Sequence, residues 1–105
     1  MKILEGFEKK YLRGLAHGLK PVVFIGRQGM TETVVRAVDE ALDQHELIKV
    51  KFIEYKEKDQ KERIQAAIED ATNARTAGII GHMAIFYRQH HDPEKQRIFL
   101  PKRSG

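Results

Sequence analysis

The feature that most constrains this 105-residue chain is a repeated switch in the spacing of its apolar residues. Short β-branched and aromatic runs such as PVVFI and LIKVKFI alternate with longer segments whose apolar residues recur every three to four positions. Such alternation predicts an α/β sandwich, with helices packed on a sheet. A chain of this length buries one core, so we expect a single domain over residues 1–105, with 102–105 as a frayed tail.

The predicted order of elements is α-β-α-β-α-β-β, with a mixed four-stranded sheet. The first helix is expected over residues 4–17, ended by Gly18 and Pro21. Its predicted apolar stripe consists of Phe7, Tyr11 and Leu15, with Leu4 and Leu12 beside them.

The last two strands of the predicted sheet come from the C-terminal third of the chain. AGIIGHMAIFYR is predicted as one strand region with a bend or bulge at Gly81. QHHDPEKQ is predicted as a turn that separates it from RIFLP, which we expect to complete a terminal hairpin.

The segment VVFIGRQGMT, residues 22–31, joins a predicted buried strand to a predicted helix whose N-cap is Thr31. Two interpretations of its glycines stay open. Gly26 and Gly29 either make a tight turn only, or they leave the backbone uncovered so that a phosphodiester chain can approach, with Arg27 as a fixed charge between them. The short G-x-x-G pattern alone favours the turn.

Charge is distributed unevenly along the chain. Residues 1–30 carry six basic and two acidic groups, whereas residues 31–46 carry one basic and five acidic groups. This asymmetry indicates either a basic face that meets a polyanion or ordinary solubilising charge. The basic candidates outside the glycine turn are Lys9, Lys10, Arg13, Lys20, Arg88 and Arg97, with His17 beside them at a helix end. Tyr87 is available for stacking if it points outward, although core packing is the favoured prediction.

Several chemical classes lack their residues in this sequence. Cysteine is absent and Ser104 is the only serine, so the usual nucleophilic hydrolase arrangements are excluded and we expect no catalytic residues. His90 and His91 are predicted as exposed loop residues, and without a paired-histidine motif we expect neither a metal nor another cofactor. No apolar run approaches a membrane span and no secretory signal is evident, so we expect a cytoplasmic monomer.

The stretch GLAHGLKPVVFIGRQGMTETVVRAVDEALDQHELIKVKF, together with the later IIGHMAIFYR and IFLP, resembles the CRM domain family. These small RNA-binding modules are named for chloroplast RNA splicing and ribosome maturation, and the chain is most similar to the free-standing bacterial YhbY-type members. The resemblance implies a fold similar to the C-terminal domain of bacterial translation initiation factor three. It also implies an RNA-binding G-x-x-G loop, here Gly26, Arg27, Gln28 and Gly29.

The leading hypothesis is a non-enzymatic protein that binds ribosomal RNA in large-subunit precursors during ribosome assembly. This hypothesis combines the resemblance with the basic turn and termini. The alternative is a protein-interaction module whose acidic second helix docks a basic ribosomal protein through Asp39, Glu40 and Asp43.

Overall fold

The computed structural model describes residues 3–103. Its elements are α1 (Gly6–Ala16), β1 (Val23–Ile25), α2 (Glu32–His45), β2 (Leu47–Phe52), α3 (Lys58–Thr72), β3 (Arg75–Ile80), β4 (Met83–Tyr87) and one 3₁₀ turn (Pro93–Lys95). The strands lie in the order β1-β2-β4-β3. β1 is parallel to β2 and the other two pairings are antiparallel, which confirms the predicted α/β class and the mixed four-stranded sheet.

The sheet separates two apolar clusters. One cluster lies against α2 and α3 and includes Ile25, Val50 and Phe86 of the sheet with Val38 and Ile68 of the helices. The other lies under α1 on the opposite face, where Leu47, Ala77, Ile85 and Tyr87 meet Leu4, Leu12 and Ala16. Each strand therefore sends alternate side chains to the two faces.

The predicted apolar stripe of α1 was wrong by one position. The buried line runs through Leu4, Glu8, Leu12 and Ala16, whereas Tyr11 and Leu15 are about two-fifths exposed at 40% and 43%. Residues at this four-residue spacing lie on one side of a helix. Ala16 is fully buried in the cluster under α1, whereas Tyr11 and Leu15 stay outside that cluster.

The terminal hairpin also differs from the prediction. AGIIGHMAIFYR holds the end of β3 and all of β4, because the chain reverses at Gly81, whose φ of +59° suits glycine. RIFLP is not a strand. The Glu46 carboxylate accepts the backbone N–H groups of Arg97 and Ile98 at 2.7 and 3.0 Å, so these donors are used away from the sheet. The bend or bulge was predicted at Gly81, which instead lies in the turn, and the register shift in β3 lies between Thr76 and Gly78.

The start of α2 matches its prediction. Thr31 Oγ1 accepts a hydrogen bond from the Val34 N–H at 3.1 Å, which is the geometry of an N-cap. At the other end of the chain, Arg103 pairs with Glu5 and lies 5.4 Å from the centre of the Phe7 ring. The last two residues of the predicted frayed tail lie outside the described residues. Within residues 3–103, no helix has both the length and the apolar character needed to cross a membrane.

Candidate nucleic-acid interface

The GRQG segment forms a closed turn directly after β1. The Gly29 N–H donates to the Gly26 carbonyl at 3.0 Å, and Gly29 has a φ of +65°. Only glycine adopts this left-handed conformation without strain. Arg27 and Gln28 are exposed at the tip of the turn. The predicted tight turn is therefore present, and its two central side chains face solvent.

Tyr55 braces the turn from the loop between β2 and α3. Its hydroxyl donates to the Arg27 carbonyl at 2.8 Å, and the same oxygen would lie 2.9 Å from a Cβ added at Gly29. Gly29 is buried as a result. The sequence interpretation missed Tyr55, which lies 28 residues from its partner. A lone aromatic residue in the charged segment EYKEKD was the available signal.

The two glycines have different roles in this geometry. Gly29 supplies the left-handed backbone of the turn and contacts Tyr55, so its role is structural. Gly26 has no positive φ, and a Cβ built on it would meet nothing within 4 Å. A close approach of ligand backbone is therefore possible at Gly26. The N–H groups of Gly29 and Val34 already have intramolecular acceptors, so they are not the donors that would meet a phosphate.

A cavity of about 350 Å³ adjoins the turn. Gln28, Gly29 and Met30 form one side, and residues of α3 including Gln60 and Arg63 form the other, with Tyr55 between them. Arg63 hydrogen-bonds Asp59 at 2.9 Å, and this contact lowers the pKa of the Asp59 carboxyl. Gln28 lines this cavity, a position that the sequence alone could not predict.

Strand register decides which loops lie at the same end of the sheet. Ile25 pairs with Phe52, and Lys51 with Met83, so the GRQG turn, residues 53–57 and the β3–β4 turn share one end. Lys61 of α3 ties the helix to the β3–β4 turn, because its Nζ donates to the Gly81 carbonyl at 2.7 Å. Lys56 and Lys58 are exposed at this end.

Four predicted candidates lie at the opposite end. Lys20 precedes β1, and the His17 carbonyl accepts from Lys49 Nζ at 3.3 Å. Arg88 follows β4 beside the start of β2, and the Arg97 N–H is bound by Glu46. The structure therefore does not gather His17, Lys20, Arg88 and Arg97 around the GRQG turn.

The three basic candidates on α1 occupy different surroundings. Arg13 donates to the Ala77 carbonyl at 2.9 Å and packs over Gly78, so it links α1 to β3. Lys9 is half-buried beside the same strand, and Lys10 is exposed.

Arg88 is engaged with the acidic helix. Its guanidinium pairs with Asp39 at 2.5 Å and with Asp43 at 2.9 Å, and it also donates to the carbonyls of Thr72 and Asp39. The Arg88 side chain is only 18% exposed. Two of the three carboxylates in the protein-docking alternative thus already have a cationic partner, which disfavours that alternative.

Two other candidates are buried. Tyr87 is 1% exposed, and burial, with a smaller effect of Glu46 and Glu8, raises the pKa of its hydroxyl to about 12. It packs in the core and is not available for stacking. His90 is 8% exposed, so its prediction as an exposed loop residue was wrong, whereas His91 is exposed.

Asp43, His90 and His91 bring possible ligand atoms within 4.8 Å of one another. Asp43 pairs with Arg88, and His90 Nδ1 accepts the Asp92 N–H at 2.9 Å. Two of the three groups therefore already serve other contacts.

Comparisons with known proteins agree on one family. The CRS1/YhbY (CRM) domain model matches residues 4–88. An RNA-binding protein of Haemophilus influenzae is 40% identical over 103 residues, covering 98% of this chain and all of the relative. A probable RNA-binding protein of Pseudomonas aeruginosa is 34% identical over 98 residues, covering 93% of each chain.

A solved structure has the same fold. The solution structure of a Staphylococcus aureus protein, proposed to bind RNA, superposes with a TM-score of 0.79 at 32% identity. The match covers 94% of this chain and all of the other.

Proposed function

We propose that this chain, which belongs to the CRS1/YhbY (CRM) domain family, binds RNA, as the names of its relatives indicate for them. The observation that carries the proposal is the open approach to Gly26 beside the exposed Arg27 side chain. A phosphodiester backbone needs both a close surface and a positive charge, and this turn supplies them at one point.

The GRQG turn would position the RNA backbone. Tyr55 holds the Arg27 carbonyl, so the turn keeps one conformation before a ligand arrives. A surface that is already ordered loses less conformational entropy on binding. Gln28, on the wall of the neighbouring cavity, would hydrogen-bond a sugar or a base edge.

We propose further that the RNA is ribosomal RNA within large-subunit precursors, and that the protein acts in ribosome assembly in the cytoplasm as a monomer. The support is the likeness to bacterial YhbY-type members. The role would be non-enzymatic, because the residues at the turn offer charge and hydrogen bonds and form no nucleophile–base pair.

Gly26→Val tests the turn. Its added side chain meets no protein atom within 4 Å at Cβ, so we expect a native fold by circular dichroism and an RNA affinity reduced about tenfold. Gly14→Val, at an exposed position of α1, is the matched control, because a Cβ there also meets nothing within 4 Å. Equal affinities for the two folded variants would remove the turn from the interface.

Crosslinking in cells, followed by sequencing of the bound RNA, tests the target. We expect large-subunit ribosomal RNA to be enriched and the protein to sediment with precursor particles. Recovery of RNA without ribosomal sequences would overturn the assembly role while leaving RNA binding intact.

A further inference from the structure

One face of the sheet is only partly covered by α1. The cluster beneath α1 reaches Leu47, Ala77, Ile85 and Tyr87, toward the end of the sheet opposite the GRQG turn. Nearer the turn, four residues that are register partners on neighbouring strands form a row across this face. The row is Phe24 on β1, Lys51 on β2, Met83 on β4 and Ile80 on β3.

The alternation of side chains shows that the row faces away from α2 and α3. Val23 and Ile25, on either side of Phe24, belong to the opposite cluster, as do Val50 and Phe52 around Lys51. Phe24 is 55% exposed and Ile80 is 58% exposed. Lys51 and Met83 between them are half-buried, so the row is a continuous surface that no described element covers.

Charge on this face favours a polyanion. Lys51 lies within the row, whereas Lys49, two residues earlier on the same face, donates from its Nζ to the His17 carbonyl at the other end of the sheet. The Val22 N–H donates to the Lys49 carbonyl at 3.0 Å, which keeps these two strands paired beside the row. β1 then runs directly into the GRQG turn, so Phe24 is separated from Arg27 by only two residues.

We propose that this row binds an unpaired base of single-stranded RNA, stacked on the Phe24 ring, with an adjoining phosphate meeting Lys51. The inference rests on the proposed function and names its substrate class. Exposed aromatic rings on a four-stranded sheet stack bases in other RNA-binding folds, and every base has a face that can stack. A protein partner would suit the apolar members, but it gives no role to Lys51 in the row or to Arg27 at the adjoining turn.

The test compares a labelled 12-nucleotide single-stranded RNA with a duplex of the same sequence. Phe24→Ala should weaken binding of the single strand about tenfold and leave duplex binding within about twofold, since a paired base is not free to stack. Phe24→Tyr should keep the wild-type affinity because it keeps the ring. Phe99→Ala is the matched control, as Phe99 is also exposed, at 70%, but lies outside the row.

The outcomes separate this inference from the proposed function. Equal single-strand affinities for Phe24→Ala and Phe99→Ala would overturn the inference, including the case in which the row binds a protein. An equal loss for single strand and duplex would also overturn it. If the wild-type protein bound neither RNA, both the inference and the proposed function would be overturned. If Gly26→Val lost affinity and Phe24→Ala did not, the proposed function would stand and only the inference would fail.

A second measurement reports stacking directly. The sequence has no tryptophan, so Phe24→Trp introduces a single fluorescent reporter. Saturating single-stranded RNA should quench its emission by at least about half, because a stacked base contacts the indole face. The Phe99→Trp emission should not change. Unchanged emission from Phe24→Trp at saturation would contradict the stacked geometry.

Discussion

The hydroxyl of Tyr55 donates a 2.8 Å hydrogen bond to the carbonyl of Arg27. This contact joins the loop before α3 to the turn before α2, and it places the same oxygen against Gly29. The GRQG turn is thus part of a two-loop unit. Its exposed tip and its buried support come from segments far apart in the sequence.

A double-mutant cycle measures this support. Gly29→Ala should destabilise the protein by about 2 kcal/mol, because φ is +65° and the new Cβ meets the Tyr55 hydroxyl at 2.9 Å. In a Tyr55→Phe background the hydroxyl is gone and the nearest remaining ring atom is at 3.6 Å. The cost of Gly29→Ala should therefore fall by about 1 kcal/mol in urea unfolding. Additive effects would show that the two residues do not interact.

Arg88 should matter for stability and not for RNA. Arg88→Ala removes ionic hydrogen bonds to Asp39 and Asp43, and should lower the free energy of unfolding by about 2 kcal/mol. Arg63→Ala is the control, since both side chains of the Arg63–Asp59 pair are exposed and surface ion pairs add little to stability. RNA affinity of folded Arg88→Ala should equal that of the wild type. A large loss of affinity would return Arg88 to the interface.

Tyr87 should lower the stability of the folded protein at high pH. The pKa of its hydroxyl is raised to about 12 in the folded chain from an ordinary value of 10.0. Stability from the protonated hydroxyl is complete below pH 10 and is lost as pH rises toward 12, by at most about 3 kcal/mol. Tyr87→Phe should flatten the pH dependence of unfolding in this window. Tyr11→Phe, at an exposed tyrosine, should leave it unchanged; identical profiles for the two variants would contradict this account.

Glu46 holds the C-terminal segment to the α2–β2 junction. Its carboxylate accepts the N–H groups of His90, Arg97 and Ile98. Glu46→Gln replaces an acceptor with an NH₂ group facing a donor, which should cost about 1–3 kcal/mol. Hydrogen exchange of the Arg97 and Ile98 amides should accelerate, while the exposed-site control Glu40→Gln should show no change. Unaltered exchange in Glu46→Gln would mean that other contacts hold the segment.

Local signals in the sequence predicted part of this structure well. The Thr31 cap, the glycine turn after β1 and the strand in LIKVKFI all depend on neighbours within a few residues, and all are present. The stripe of α1 was misplaced because the helix contains two apolar lines one position apart. The choice between them depends on how closely the sheet approaches Ala16, which no local pattern specifies.

Long-range contacts account for the remaining differences. RIFLP has the composition of a strand, but its amide groups are bound by Glu46, about 50 residues earlier. Arg88 carries a charge that suits RNA, but Asp39 and Asp43 meet it across the fold. The positions of Tyr55 and of the Phe24 row beside the turn depend on a long-range hydrogen bond and on strand register, which local sequence patterns do not specify.

The most direct test of the central claim is the salt dependence of RNA affinity between 50 and 200 mM, in the range where phosphate contacts release counterions. We expect log affinity to fall with log salt at a slope of about −2 or steeper, and Arg27→Gln to reduce that slope by about 0.7. Arg36→Gln, on the exposed side of α2, should leave the slope unchanged. A flat response, or no RNA binding at low salt, would contradict the account.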